Sequence, residues 1–241
     1  MKTINFATFA VAAAFTGTCH AALHDRGGGL IYDDVLNITW LKDANFAKTS
    51  GYDTDGVMSW SDASTWAANL VYGGYGDWRL PKVLDADQDG CNFAYQATDC
   101  GYNVNIATGE MAHLWYVDFG NLAYRDTLGN LQAGYGLADN PGDLNDESLF
   151  LNLTKGGYWS GIPYGPNPNA EAWYFVMDLG LQDYFSRSSL FYAWAVRDGD
   201  STVAVPEPET AVLALMALMG MGMGLVGGIR CVPHHAYARC P

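Results

Sequence analysis

Three things are scarce in this 241-residue chain: cysteine, histidine and positive charge. Twelve Lys and Arg stand against 26 Asp and Glu, a formal charge of −14. Between residues 22 and 205 the balance is 9 against 24, or −15. A protein this acidic is a poor partner for nucleic acid or an anionic membrane surface. Five histidines occur in all, and His24 and His113 are the two in the middle of the chain. No G-x-S-x-G elbow, H-E-x-x-H pair or Gly-rich phosphate loop is present, so the common nucleophilic, zinc-hydrolytic and nucleotide chemistries have no sequence support. Acid pairs are plentiful, but an acidic chain always offers them, and they single out no hydrolase.

Long apolar runs are missing too, except near the ends. Lys2 precedes the short apolar run Phe6 to Phe15, and small residues lead to Ala21. That is the layout of a secretory signal peptide over 1–21, with an apolar run too short to span a bilayer. Residues 210–229 are twenty residues without a charge, the length of a transmembrane helix. The polar, Pro-containing stretch 200–209 in front of them reads as a linker, and 230–241 as a short tail. The middle is long enough for one domain with a real core, and its many Trp and Tyr exclude a disordered chain.

Two of the five cysteines, Cys91 and Cys100, fall in the middle. In an oxidising compartment they are expected to pair; free or redox-active thiols are the alternative, and the spacing is no zinc pattern. Just ahead, Asp85, Asp87 and Asp89 with Gly90 form D-x-D-x-D-G, the opening of a calcium loop. Gln96 stands where an EF-hand needs Glu, which rejects the full motif and leaves a looser calcium site, with Asp99, against a solvated acidic loop. Asp53 and Asp55 form a second, weaker pair.

Periodicity points to an α+β fold, with two short helices early and strands late. Strands are expected at Leu30 to Tyr32 and Val35 to Leu41. A helix is expected where Ala63, Trp66, Ala67 and Leu70 recur at helical spacing, capped by Ser61 and stopped by Gly73-Gly74. A second helix is expected over Gly109 to Asp118, while Asn121 to Asn145 shows little periodicity. Gly157 to Gly161, Ala172 to Leu179 and Phe191 to Arg197 read as aromatic-rich strands. Trp115, Tyr116, Tyr158, Trp159, Trp173 and Tyr174 supply rings that either stack on sugars or fill the core.

The order Trp60, Ala63, Ala67, Gly73-Gly74, Asp77-Trp78-Arg79-Leu80-Pro81, Tyr158-Trp159-Ser160 and Tyr192 to Arg197 resembles the Lcl C-terminal domain family, over about residues 28 to 199. That family is similar to C-type-lectin-like and formylglycine-generating-enzyme-like folds. The resemblance therefore implies small antiparallel sheets whose terminal strands pair, in a domain over 22–199. The cysteines do not resemble a copper-oxidase site. Within the D-W-R-L-P block, Trp78 and Leu80 are expected in the core, and Arg79 is expected to pair with Asp77 or an acid distant in sequence. Val205, Pro206, Glu207 and Pro208, followed by the apolar segment, resemble a PEP-CTERM sorting signal. This implies exosortase as a partner, a membrane-anchored precursor, and a final place at the cell surface or in an extracellular polysaccharide matrix. The expected role is a non-catalytic binding or matrix module; the alternatives are a carboxylate enzyme acting on surface polysaccharide and an envelope protein without a ligand.

Overall fold

The structure is a computed structural model and describes residues 23–137 and 149–201. The expected signal peptide, most of the expected linker, the Val205–Pro208 motif, the apolar segment and the tail lie outside the described residues. Among the described residues, no helix is long and apolar enough to cross a membrane.

The fold is α+β, built on two sheets. The first holds β1 (Leu23–Gly27), β2 (Leu30–Asp33) and β3 (Ile38–Leu41), with β10 (Val196–Asp198) added beside β3, all antiparallel. The last strand thus closes the sheet opened by the first three. The second sheet has the order β4 (Val57–Met58), β9 (Phe191–Tyr192), β6 (Gly157–Pro163), β7 (Glu171–Val176), β8 (Leu181–Ser186), β5 (Gly101–Tyr102). Its pairings are antiparallel except β6 with β9, which is parallel.

The strand expected over Phe191 to Arg197 is two strands in different sheets. Ala193, Trp194 and Ala195 between them are fully buried. A continuous strand would turn alternate side chains outward. Here the chain instead crosses the core between sheets, and Trp194 Nε1 donates to Leu41 O at 2.7 Å.

Helix α1 is a single turn, Phe46–Thr49. Helix α2, Trp60–Asn69, buries Ala63, Trp66 and Ala67 as their spacing predicts. Its cap is Ser59 rather than Ser61. Ser59 Oγ accepts from Asp62 N at 3.3 Å, the N-cap bond, and donates to Asp62 Oδ2 at 2.6 Å, which holds the two side chains together. The helix ends at Asn69, before the Gly pair expected to stop it; Gly73 and Gly74 instead turn the chain between Tyr72 and Tyr75.

The second expected helix is compound. A 3-10 turn, Ile106–Thr108, leads into α3, Glu110–His113, which continues as a π-helical turn, Leu114–Asp118. One main core joins both sheets and these helices, and includes Trp40, Trp66, Trp115, Trp159 and Trp194.

Candidate functional site

The D-W-R-L-P block is a fastening. Trp78 and Leu80 are buried as expected. Arg79 pairs with acids distant in sequence and not with its neighbour Asp77. Its Nη1 and Nη2 donate to Glu110 Oε2 and Oε1, both at 2.8 Å. Nε and Nη2 also donate to Asp198, and Nη1 to Leu80 O. A guanidinium has five N–H donors, and all five are used, so none is left for a ligand. Asp77 is taken by Arg197, at 2.8 and 2.9 Å. The backbones of Arg79 and Val196 exchange hydrogen bonds between these pairs. The block thus ties the last strand to the start of α3.

Cys91 and Cys100 form a disulfide. With Asp183 they make one of two groups of potential metal-ligating side chains among the described residues. The bridge leaves that group no thiolate. Asp85, Asp87 and Asp89 belong to neither group. Asp85 accepts from the amides of Gln88 and Gly90, at 2.8 and 3.0 Å, and Asp89 from Asn92 Nδ2 at 2.6 Å. Asp99, whose carboxyl is pushed up by burial, accepts from Ala86 N. Asp53 and Asp55 likewise cap amides of their own turn.

The second group was not expected from sequence. Asp33, His113 and Asp118 are all buried, with one ligand atom of each within 4.8 Å of the others. His113 Nε2 lies 3.9 Å from Asp118 Oδ2. Burial, helped by the charges of Asp33 and Asp34, pushes Asp118 up to about 8; burial also raises Asp33 and lowers His113. The π turn hides this set from sequence inspection. His113 and Asp118 are five residues apart, the repeat of a π turn, and helical reasoning looks for neighbours at three or four.

The six aromatic residues singled out in the sequence are core or nearly so. Trp115, Tyr158, Trp159 and Trp173 are fully buried, and Tyr116 and Tyr174 half-buried. The indoles of Trp115 and Trp159 donate to Met177 O and Met58 O. The exposed rings are elsewhere. Phe93, Tyr95, Tyr102, Tyr124 and Tyr135 form a continuous series, with successive centroids 6.0, 6.2, 6.2 and 4.7 Å apart. Phe93 is 51% exposed, Tyr95 38% and Tyr135 43%, whereas Tyr102 anchors the series at 8%.

This face is built by the disulfide loop and by the stretch after Asn121 that shows little periodicity. Leu122 bridges Gly136 and Arg125 bridges Leu131, making an irregular hairpin. Asn103 Nδ2 donates to Tyr95 O and Arg125 O at 3.0 and 2.8 Å, joining the two loops. Gly101 holds a positive φ of 104°, and a Cβ there would stand 2.0 Å from Ala94 O. Only glycine lets the loop close this tightly.

Three surface hollows, of about 200, 630 and 320 Å³, hold one acid between them, Glu110, which is already committed to Arg79. None of these three hollows among the described residues therefore holds the carboxylate pair of a glycoside hydrolase.

A family model described as the Lcl C-terminal domain matches residues 29–197. No curated protein and no solved structure matches the chain. The matched stretch runs from the turn before β2 into β10, and so takes in most of both sheets and the Arg79 fastening. The chain belongs to the Lcl C-terminal domain family.

Proposed function

We propose that this protein is an exported, non-catalytic binding module that holds extracellular polysaccharide on its exposed aromatic face. The observation that carries the reading is the series Phe93, Tyr95, Tyr102, Tyr124, Tyr135. Aromatic rings present a flat apolar surface, and tyrosine adds a hydroxyl for hydrogen bonding. Phe93, Tyr95 and Tyr135 are exposed and are linked through the half-buried Tyr124 and the buried Tyr102, so they form one patch rather than scattered surface residues. The disulfide and the Asn103 bridge keep the face in shape before a ligand arrives, which lowers the ordering cost of binding.

Export is supported by the signal-like N-terminus, by the disulfide and by the family. The Val205–Pro208 motif and the apolar segment after it support sorting by exosortase, through a membrane-anchored precursor, to the cell surface or matrix. The family's likeness to C-type-lectin-like folds favours a sugar ligand, and so does an aromatic face held in shape by a disulfide.

The test is a pull-down of the exported protein on envelope polysaccharides, with a Tyr95→Ala/Tyr135→Ala variant beside it. Retention that the variant loses supports the reading. Failure to bind any host-envelope polysaccharide contradicts it. Sorting is tested separately by fractionating cells that carry Pro206→Ala/Pro208→Ala: the precursor should accumulate in the membrane, and unchanged processing removes the exosortase part.

A further inference from the structure

We propose that Asp33, His113 and Asp118 form a buried binding site for one divalent transition-metal ion of the zinc or manganese type. The three side chains come from separate places, the end of β2, the end of α3 and the end of the π turn, and converge on one point inside the protein. Asp33 and Asp118 have no measurable exposure and His113 has 6%.

What marks the cluster as a ligand site is its unpartnered atoms. Asp33 Oδ2, His113 Nε2 and both oxygens of Asp118 are buried with no hydrogen-bond partner among the described residues. Other buried polar atoms here also lack a partner, but no other point among the described residues gathers four of them on titratable side chains, and an unpaired buried carboxylate costs several kcal/mol or more. Two carboxylates side by side make matters worse, since each disfavours the charge of the other. A divalent cation removes all of these costs together.

The atoms are also aimed. Asp33 uses Oδ1 to accept from the amides of Val35 and Leu36, at 3.0 and 2.9 Å, which fixes its carboxyl and leaves Oδ2 for the cluster. The π turn inserts one residue more per turn than an α-helix, bringing Asp118 beneath His113. Such turns collect at functional positions. Burial raises both carboxyls and lowers the imidazole; a cation at this point would bring the carboxyls back down and keep the imidazole neutral, the form in which it can be a ligand.

The donor set chooses the ion. One imidazole nitrogen with two carboxylates suits zinc, manganese or iron(II), whereas calcium takes six to eight oxygens and no imidazole. Burial makes the role structural, a tie between the first hairpin and the α3 segment. It does not depend on the polysaccharide reading.

The test uses the full chain, exported so that the disulfide forms and carrying no affinity tag. His234 and His235 are replaced by alanine and Cys231 and Cys240 by serine, so that the tail binds nothing. Elemental analysis should find about one equivalent of metal per chain, and Asp118→Asn and His113→Ala should lower it at least fivefold. Because these variants can fail to fold, the parent chain is also stripped with chelator and melted with and without added zinc or manganese. A rise in Tm on adding either ion supports the site even if both variants unfold. A stripped chain that neither takes up metal nor changes its Tm overturns it, as does a folded Asp118→Asn variant with undiminished metal.

Discussion

Arg79 and Glu110 meet in a two-point ion pair, with both N–O distances 2.8 Å, across 31 residues of sequence. Glu110 opens α3, and its Oε2 also accepts from Lys82 N at 2.7 Å. One carboxylate therefore holds both the family motif and the helix that carries His113.

Arg79→Ala leaves Glu110 facing inward with its partner gone. The pair is about one-fifth exposed, so the loss falls below that of a fully buried pair, at about 2–3 kcal/mol. Arg79→Lys keeps the charge but loses the fork, and should cost about 1–2 kcal/mol. Urea denaturation of the three proteins checks this ordering. Equal stabilities would show the fastening to be idle.

The same network sets an acid limit. Asp198 lies below the ordinary carboxylate range because Arg79 donates to it, and Asp77 because Arg197 does. A carboxyl with a lowered folded value binds its proton less readily than the unfolded chain does. Its stabilisation is therefore present above about pH 4 and lost as pH falls through the lower folded value. Stability measured between pH 5 and 2 should fall, and Arg79→Ala should flatten the fall.

Replacing Cys91 and Cys100 by serine opens a loop with a sequence separation of 9 residues. Loop entropy puts the cost at about 2–3 kcal/mol. Gly101→Ala, beside the bridge, should cost about as much through strain at positive φ and the clash with Ala94 O. Thermal melting checks both, and polysaccharide retention should fall with them because the aromatic face rests on this loop.

Calcium provides a contrast with the transition-metal site. The oxygens of Asp85 and Asp89 already accept hydrogen bonds within their own loop. Millimolar calcium should therefore leave the Tm of the full chain unchanged relative to chelator. A clear rise would assign the Asp-rich loop a cation after all.

Much of the fold was legible in the sequence because it follows local rules. Ala63, Trp66 and Ala67 announced α2 through spacing, and the aromatic runs at Gly157 and Ala172 announced β6 and β7. What escaped depends on contacts made at long range. The split between β9 and β10 arises because Trp194 is drawn into the core beside Trp40 and Phe150, which no alternation pattern reveals. Arg79's true partners lie 31 and 119 residues away. The rings of this face escape sequence reading because Phe93 and Tyr95 sit in the Asp-rich loop and Tyr124 and Tyr135 in a stretch without periodicity. Composition alone cannot separate rings that fill a core from rings that cover a surface.

The most direct test of the central claim is calorimetric titration of the exported protein with the polysaccharide it retains, alongside Tyr135→Ala and Trp60→Ala. Tyr135 stands in the exposed series, whereas the ring of Trp60 is covered by Arg187, 3.8 Å from its centroid. Tyr135→Ala should weaken binding at least tenfold, about 1.4 kcal/mol, without lowering the Tm, and Trp60→Ala should leave the affinity of the folded fraction unchanged. Undiminished binding by Tyr135→Ala, and by Tyr95→Ala after it, would contradict the assignment of the aromatic face as the binding surface.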